Sequence, residues 1–377
     1  MIANNNNLSP ILKWAGGKEK ELNFIIPNSP ANFENYYEPF VGGGAVYASF
    51  NAKKYFINDK SSELISLYHN IALNNTAFYS WLDNITTTWK SVLTYSNSCS
   101  FLIQTYKDFR SSIIDAKEIK SRILKYIENN WNDLNLILYN SFQWKLDIFK
   151  AELIKNLTRK TLRMHKLEQE RGQMSDTDIS DNIETAFMSS LYMYFRTMYN
   201  NKEIIDSNSS LATALFVFIR NYAYSGMFRY NSDGDFNVPY GGMSYNHKLL
   251  NNKISYYQSQ LLKEHLDKTI IENLDFQLFL DKYKPTENDF VFLDPPYDSD
   301  FSTYAKNTFT LEDQKRLSDY LCNDCKAKWM MIIKNTPFIF SLYNKPELTI
   351  KTFDKKYLVS FMNRNDKNTE HLIITNY

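Results

Sequence analysis

The sequence has few of the features that mark a secreted or membrane-bound protein. It contains three cysteines in 377 residues, which excludes a disulfide scaffold and fits a reducing compartment. Two of them, Cys322 and Cys325, form a lone CxxC without a second pair, so we predict no metal site. The longest apolar run, Leu211 to Ile219, is far shorter than the roughly 20 residues of a transmembrane helix. The opening residues 1–7 carry no secretory signal pattern. We therefore expect a cytoplasmic protein without membrane contact.

The chain also lacks an excess of charge of either sign. Its 43 basic and 42 acidic residues leave a net charge of +1, so any surface for nucleic acid must come from local clustering. One cluster is visible, because four basic residues are spaced to share one face of a helix: Lys155, Arg159, Arg163 and Lys166. Such a stripe fits either contact with a phosphate backbone or a solvated helix face.

Alternating strand and helix patterns occur in two separated parts of the chain. In the first part, the pattern predicts a strand (Tyr36–Phe40), a glycine turn (Gly42–Gly44), a helix (Ala45–Ala52), a strand (Lys54–Asn58) and a helix (Ser61–Leu73). Further along, strands are predicted at Ile270–Ile271, Phe290–Leu293, Trp329–Lys334, Thr349–Phe353 and His371–Thr375, and helices at Leu249–Glu264, Leu274–Asp281 and Leu311–Cys325. We predict one discontinuous α/β domain over residues 1–74 and 255–377.

The segment between these parts differs in composition and in the spacing of its apolar residues. From Asn74 to Ser210 it has one glycine and no proline, and its apolar spacing predicts a long helical insertion over residues 75–210, with a loop at Glu168–Asp181. A buried helix (Leu211–Tyr224) follows. Turn residues around Asn231–Gly234 then separate two short runs, which predicts a β-hairpin within residues 220–245. Residues 75–254 are therefore expected to form a second, mostly helical domain.

The most informative motif is Asp294-Pro295-Pro296-Tyr297, directly after the apolar run Phe290–Leu293. The prolines stiffen the turn and leave carbonyl groups to accept hydrogen bonds. Asp294 supplies an anionic acceptor, and Tyr297 a face for stacking. Together they suit an amino group on a flat ring, as methyl transfer to a nucleobase requires. The same four residues also fit a strand that simply leaves the sheet through a proline turn.

A second constellation suits a nucleoside. The turn Gly42-Gly43-Gly44 lacks the third glycine of a dinucleotide fingerprint, where Tyr47 stands, so a nucleoside without phosphates fits better. Asp59, after the next strand, is placed for two ribose hydroxyls. Near the start of the chain, Lys18 could meet a carboxylate and Trp14 could pack on the ligand. S-adenosylmethionine has all these parts, although each signal also fits an ordinary turn.

Taken together, the motifs resemble those of the Dam-like (DpnII-like) α-group DNA adenine-N6 methyltransferases. The resemblance rests on Ile11–Lys18, Tyr37–Gly44, Ile57–Asp59, Arg229–Asn231 with Phe236–Gly241, Asp294–Tyr297 and Phe309–Gln314. It implies a Rossmann-like, S-adenosylmethionine-dependent methyltransferase fold with a mostly helical target-recognition domain that carries a β-hairpin. The helical insertion at 75–210 is much longer than the corresponding region of the smallest family members, and we assign it to no family motif.

The resemblance also implies roles for single residues. Asp294 and the Pro295 carbonyl would accept the two amino hydrogens of a flipped adenine, Pro296 would complete the turn and Tyr297 would stack on the base. The cofactor would be bound by Trp14, Lys18, Glu38, Phe40, Gly42, Asp59 and Asp294. DNA would be contacted by Lys13, Tyr224, Ser225, Met227, Arg229 and Asn231. Ser225 stands where the family's asparagine is expected, and Lys13 and Arg229 match positions that contact guanine in GATC readers.

The sequence therefore predicts a site-specific adenine DNA methyltransferase acting on double-stranded DNA as a nucleoid-associated monomer, with a cognate restriction endonuclease as a possible partner. Two alternatives stay open. One is a methyltransferase on another amine, in an RNA base or a protein glutamine. The other is a catalytically silent DNA-binding specificity subunit.

Overall fold

The computed structural model describes residues 8–14, 16–139, 142, 144–201, 209–297, 309–356 and 368–377. The chain divides into two compact units. The first unit comprises Met1–Asn74, Phe228–Tyr230 and Tyr257–Tyr377, and the second comprises Asn75–Met227 and Asn231–Tyr256. Each unit is described by itself below.

Within the part of the chain that the structure describes, the first unit contains a seven-stranded β-sheet. Its strands are β1 (Asn35–Glu38), β2 (Lys54–Asn58), β3 (Thr269–Glu272), β4 (Phe290–Leu293), β5 (Lys328–Lys334), β6 (Thr349–Lys356) and β7 (Asn368–Thr375), in the order β3-β2-β1-β4-β5-β7-β6. The first five are parallel, whereas β7 is antiparallel to both β5 and β6. All four residues of β4 are buried, as expected for a parallel strand with both faces covered. The predicted α/β fold is confirmed.

The described helices are α1 (Leu22–Asn28), α2 (Ser62–Ala72), α3 (Thr76–Ser96), α4 (Ser100–Arg110), α5 (Ala116–Asn129), α6 (Trp131–Tyr139), α7 (Leu146–Arg171), α8 (Asp176–Asn200), α9 (Ser209–Tyr222), α10 (Asn251–Tyr257), α11 (Gln260–Leu266), α12 (Phe276–Tyr283), α13 (Leu311–Asp319) and α14 (Pro337–Tyr343). None of these helices is long and apolar enough to span a membrane.

Several predicted helix boundaries were wrong. The segment predicted as a helix at Ala45–Ala52 contains only a 3-10 turn at Tyr47–Ser49. The predicted helix Leu249–Glu264 is divided into α10 and α11, because Ser259 caps a new helix start with its side chain. The predicted helix Leu311–Cys325 ends at Asp319 and continues as a single π-helical turn over Tyr320–Asp324.

The second unit is mostly helical, with α3 to α9 all lying in it. The loop predicted at Glu168–Asp181 was too long. Helix α7 continues to Arg171 and α8 begins at Asp176, where Ser175 and Asp178 form a reciprocal capping box. Gly172, with φ of +93°, ends α7, since glycine adopts this conformation without strain.

The predicted hairpin is present as a reversal of the chain and not as two described strands. An antiparallel bridge joins Ala223 to Tyr240. The turn is held by the side chain of Asn231, whose Oδ1 accepts hydrogen bonds from the amides of Asp233 (3.1 Å) and Asp235 (2.8 Å). Short polar side chains of this kind replace ladder hydrogen bonds in tight turns.

Candidate functional site

The carboxyl ends of neighbouring parallel strands bring three acidic residues to one edge of the sheet. β1 ends at Glu38, Asp59 follows β2, and Asp294 follows β4. β1 pairs with both β2 and β4. After β1 the chain continues to β2 on one side of this pair, whereas after β4 it continues to β5 on the other side. Open α/β sheets bind their ligands at such a switch point.

An ion pair between distant parts of the sequence lies at this edge. The ammonium of Lys18 contacts Oδ2 of Asp294 and also donates to the Gly16 carbonyl at 2.9 Å. The Lys18 side chain is 3% exposed and that of Asp294 is 21% exposed. The ammonium also lies 5.8 Å from the centre of the Tyr297 ring, within the range of a cation–π contact. A buried positive charge thus faces the carboxylate and the aromatic ring that the motif predicted.

The proline turn is held from outside the motif. Gln314, which is fully buried, donates from Nε2 to the Pro296 carbonyl at 2.8 Å. Among the described residues, none donates a hydrogen bond to the carbonyl of the buried Pro295. The half-buried Tyr297 packs edge-to-face with His371 of β7, at 5.4 Å between ring centres. The turn therefore combines a fixed backbone with a carbonyl acceptor next to a carboxylate.

The glycine turn after β1 approaches the N-terminal segment closely. Gly42 has φ of +51°, in the left-handed region. A Cβ at Gly43 would lie 2.3 Å from the Leu12 carbonyl oxygen, so no side chain fits there. The Ile11 amide donates to the Gly43 carbonyl at 3.0 Å. The turn thus positions residues 11–14 against the carboxyl end of β1.

Asp59 is fixed by two backbone amides. Its Oδ2 accepts from Gly42 at 3.0 Å and its Oδ1 from Ser61 at 2.9 Å. Burial raises the pKa of this carboxyl to about 6, although the two amides partly offset that rise. An acid held in this way presents its remaining acceptor positions in a fixed direction.

Glu38 is the most enclosed of the three acids. It is 2% exposed and accepts a hydrogen bond from the Tyr36 hydroxyl at 2.6 Å. Burial raises the pKa of Glu38 well above its usual range. Beyond it, Phe40 packs with Phe276 at 5.7 Å and with Phe309 at 5.5 Å. These rings form an apolar wall after β1.

The N-terminal residues predicted to bind ligands lie near this edge. Trp14 is half-buried, lies beside Gly42 and packs on Phe228 with ring centres 5.2 Å apart. Lys13 and Arg229, both exposed, belong to the first unit with Phe228.

The remaining predicted DNA-contacting residues are Tyr224, Ser225, Met227 and Asn231, which belong to the second unit. Tyr224 is 48% exposed. Ser225 has φ of +52°, the left-handed conformation in which asparagine is enriched. Asn231 uses its carbonyl oxygen to hold its own turn.

Four contributors to the site were not predicted as functional from the sequence. They are Tyr36, Gln314, His371 and Phe276, and all act on predicted residues: Glu38, Pro296, Tyr297 and Phe40. Gln314 falls within a segment quoted for the resemblance, but its spacing gave no sign of its partner. Spatial packing alone joins these pairs.

The order of the sheet and the acids at its carboxyl edge define an α/β methyltransferase architecture. The chain also matches the sequence model of the D12 class N6 adenine-specific DNA methyltransferases over residues 14–130 and 117–359. It belongs to this family and is an adenine-specific DNA methyltransferase, which confirms the prediction from the motifs.

Similar proteins include one viral and two bacterial methyltransferases. The type II methyltransferase M.CviBI of Paramecium bursaria Chlorella virus NC1A is 39% identical over 166 residues, covering 43% of this chain and 60% of the relative. The type II methyltransferase M1.LlaDCHI of Lactococcus lactis subsp. cremoris is 23% identical over 347 residues, covering 90% and 86%. The DNA adenine methylase of Escherichia coli strain K12 is 23% identical over 314 residues, covering 82% and 73%.

Proposed function

We propose that this enzyme transfers a methyl group from S-adenosyl-L-methionine to the exocyclic amino group of an adenine flipped out of a short duplex DNA motif. The observation that carries the proposal is the juxtaposition of Asp294, the Pro295 carbonyl and Tyr297 at the switch point of the sheet. A base inside a duplex cannot reach a carboxylate in a crevice, so it has to leave the stack at a cost of a few kcal/mol.

The residues around the glycine turn fit the cofactor. Gly42 and Gly43 keep the turn clear of side chains, and Asp59 presents a fixed carboxylate to two ribose hydroxyls. Glu38 and Phe40 would line the pocket and Trp14 would pack on the ligand. When bound, the cofactor supplies a methyl group on a positively charged sulfur.

The contact between Lys18 and Asp294 modifies the role expected for Lys18. In addition to meeting the carboxylate end of the cofactor, this lysine holds Asp294 in position. Lys18 therefore acts both as a cofactor residue and as a positioning residue for the acid.

The chemistry rests on hydrogen-bond acceptors. The lone pair of adenine's amino group is conjugated into the ring, so the amine is a weak nucleophile. Acceptance of its two hydrogens by Asp294 and the Pro295 carbonyl favours a pyramidal nitrogen and stabilises the positive charge that develops on it. Fixed acceptors in a site sheltered from water supply several kcal/mol of such stabilisation. Gln314 holds the turn in place through Pro296, while Tyr297 offsets part of the flipping cost by stacking.

The residues proposed to recognise the DNA target belong to both units. Lys13 and Arg229 would read guanines in the major groove, and Tyr224 and Met227 would press into the base stack, with Ser225 and Asn231 shaping the turn between them. Residues 1–74 and 255–377 would serve catalysis and residues 75–254 recognition. GATC is the favoured motif. Arg229→Ala should relax specificity at one base pair by about 1–3 kcal/mol; equal weakening on all sequences would instead make Arg229 a phosphate contact.

The biological setting is also proposed. Two of the relatives are named type II methyltransferases, which favours a restriction-modification or DNA-protection role with a cognate endonuclease. The enzyme would act as a monomer on nucleoid DNA in the cytoplasm.

The decisive experiment is expression in a host that lacks adenine methylation, followed by single-molecule sequencing of its DNA. The expected result is N6-methyladenine at one short motif. Asp294→Ala should abolish the signal, whereas Glu312→Ala, which removes a 74% exposed acid from α13, should not. Unchanged methylation by the Asp294 variant would refute the mechanism. Methylation of RNA or protein instead of DNA would contradict the proposal that DNA is the substrate.

A further inference from the structure

A strip of positive charge runs along the longest helix of the second unit. Helix α7 spans 26 residues, and its exposed side chains include Lys155, Arg159, Arg163 and Lys166. At about 1.5 Å per residue these four cations cover roughly 16 Å on one side of the helix. We refer to these four residues as the basic face of α7.

Two acids of α7, Glu152 and Glu170, lie by helical spacing on the same side as the basic face. Glu152 pairs with Lys155 at 2.9 Å, and Glu168 pairs with Arg110 of α4 at 3.4 Å. Among the described residues, no acid lies within ion-pair distance of Arg159, Arg163 or Lys166. These three cations therefore have no ion pair within the described part of the chain, and with Lys155 the basic face has four cations beside two acids.

The helix is a fixed platform for these charges. Its opposite side is buried through residues such as Phe149, Leu153 and Met164. Hydrogen bonds tie it to α8, including one from the Ser190 hydroxyl to the Glu152 carbonyl at 3.0 Å. A hydrogen bond of 2.8 Å from the Arg159 guanidinium to Asn156 Oδ1 restricts that side chain. A ligand that binds here meets cations that are already arranged.

The pKa of a neighbouring lysine, Lys160, is affected by two cations of the basic face. Lys160 lies at the margin of the face and donates to Asn182 at 3.3 Å. Burial lowers its pKa, and the neighbouring charges of Arg163 and Arg159 lower it further. Repulsion of this kind is relieved when an anion binds.

We propose that the basic face of α7 is a second DNA-contacting surface, which binds backbone phosphates of duplex DNA outside the methylated motif. The inference rests on DNA being the substrate. Duplex DNA is the occupant because its regularly spaced phosphates match a linear row of cations, and because guanidinium groups bind phosphate oxygens well. Contacts of this type add affinity without reading sequence.

The test is the salt dependence of DNA binding. A mixed-sequence duplex of about 40 base pairs is titrated by fluorescence anisotropy at several salt concentrations. The variant combines Arg159→Gln, Arg163→Gln and Lys166→Gln. The matched control combines Lys117→Gln, Lys120→Gln and Lys125→Gln, which removes three exposed charges from α5 of the same unit.

Each phosphate contact contributes about 0.9 to the slope of log affinity against log salt. We expect the α7 variant to lower the magnitude of that slope by about 2 to 3, and the α5 control to leave it near the wild-type value. If the triple variant does not fold, Arg163→Gln alone should lower it by about 1. An unchanged slope in the α7 variant, or an equal fall in the control, would overturn the inference. Binding is measured separately from methyl transfer. If the wild-type enzyme methylates DNA but the α7 variant keeps the wild-type salt slope, only the inference about α7 is wrong and the proposed activity stands.

Discussion

Breaking the ion pair between Lys18 and Asp294 should destabilise the protein separately from its effect on catalysis. In Asp294→Ala the Lys18 ammonium, 3% exposed, keeps the neutral Gly16 carbonyl as its one acceptor among the residues that the structure describes. Loss of one partner of a buried pair costs about 3–5 kcal/mol because the other charge stays away from water. Since Asp294 is 21% exposed, we expect the lower end, a loss of about 3 kcal/mol in the free energy of unfolding.

The reciprocal change should cost less. In Lys18→Met the Asp294 carboxylate can be hydrated, so we expect a loss of about 1–2 kcal/mol. The double variant leaves no buried charge at this position. It should therefore be more stable than the sum of the single losses predicts, by about 1–3 kcal/mol.

Urea unfolding of the four proteins, followed by circular dichroism, measures this cycle, and methyl transfer is assayed in parallel. Asp294→Ala and the double variant should both be inactive, because both lack the proposed acceptor for the amino group. If the losses of stability are additive, the Lys18–Asp294 ion pair contributes no interaction energy to folding. Turnover by the double variant would contradict the role of Asp294.

Three further predictions concern the cofactor turn and the recognition segment. The pKa of Asp59 is raised to about 6, so its ionised form, the better acceptor for ribose hydroxyls, is lost as pH falls through that value. Cofactor affinity, measured by calorimetry, should therefore weaken below about pH 6. Asp59→Asn should bind the cofactor weakly at every pH. If the pH dependence of binding is unchanged in Asp59→Asn, it arises from another group. Gly43→Ala should destabilise the protein by about 1–3 kcal/mol, because its Cβ would meet the Leu12 carbonyl at 2.3 Å. Gly17→Ala, where the nearest atom is 3.3 Å away, should cost less when both variants are unfolded by heat; equal losses would refute the packing argument. Ser225→Asn should raise the free energy of unfolding by about 0.5–1 kcal/mol, because asparagine tolerates a φ of +52° better than serine does. The same change at Ser232, which is outside the left-handed region, should not.

Much of the fold was predictable because its signals are local. The strands at Lys54–Asn58 and Phe290–Leu293 were predicted with their observed bounds, since short buried strands are apolar runs bounded by polar turns. Two boundaries were wrong where a single side chain decides them. The start of α8 depends on the Ser175 capping box, and the break before α11 depends on Ser259.

The sequence by itself determined the family of this protein, because the motifs behind the proposed chemistry, Asp294–Tyr297 and the glycine turn, each consist of adjacent residues. Backbone geometry within four residues is set largely by proline and glycine, so such motifs can be interpreted without a structure. Only the tertiary structure decided which residues support them. The contact between Lys18 and Asp294 joins positions 276 residues apart, and the hydrogen bond from Gln314 to Pro296 spans 18 residues. Such pairs depend on the order of strands in the sheet, which brings their side chains to one edge and leaves no trace in local spacing.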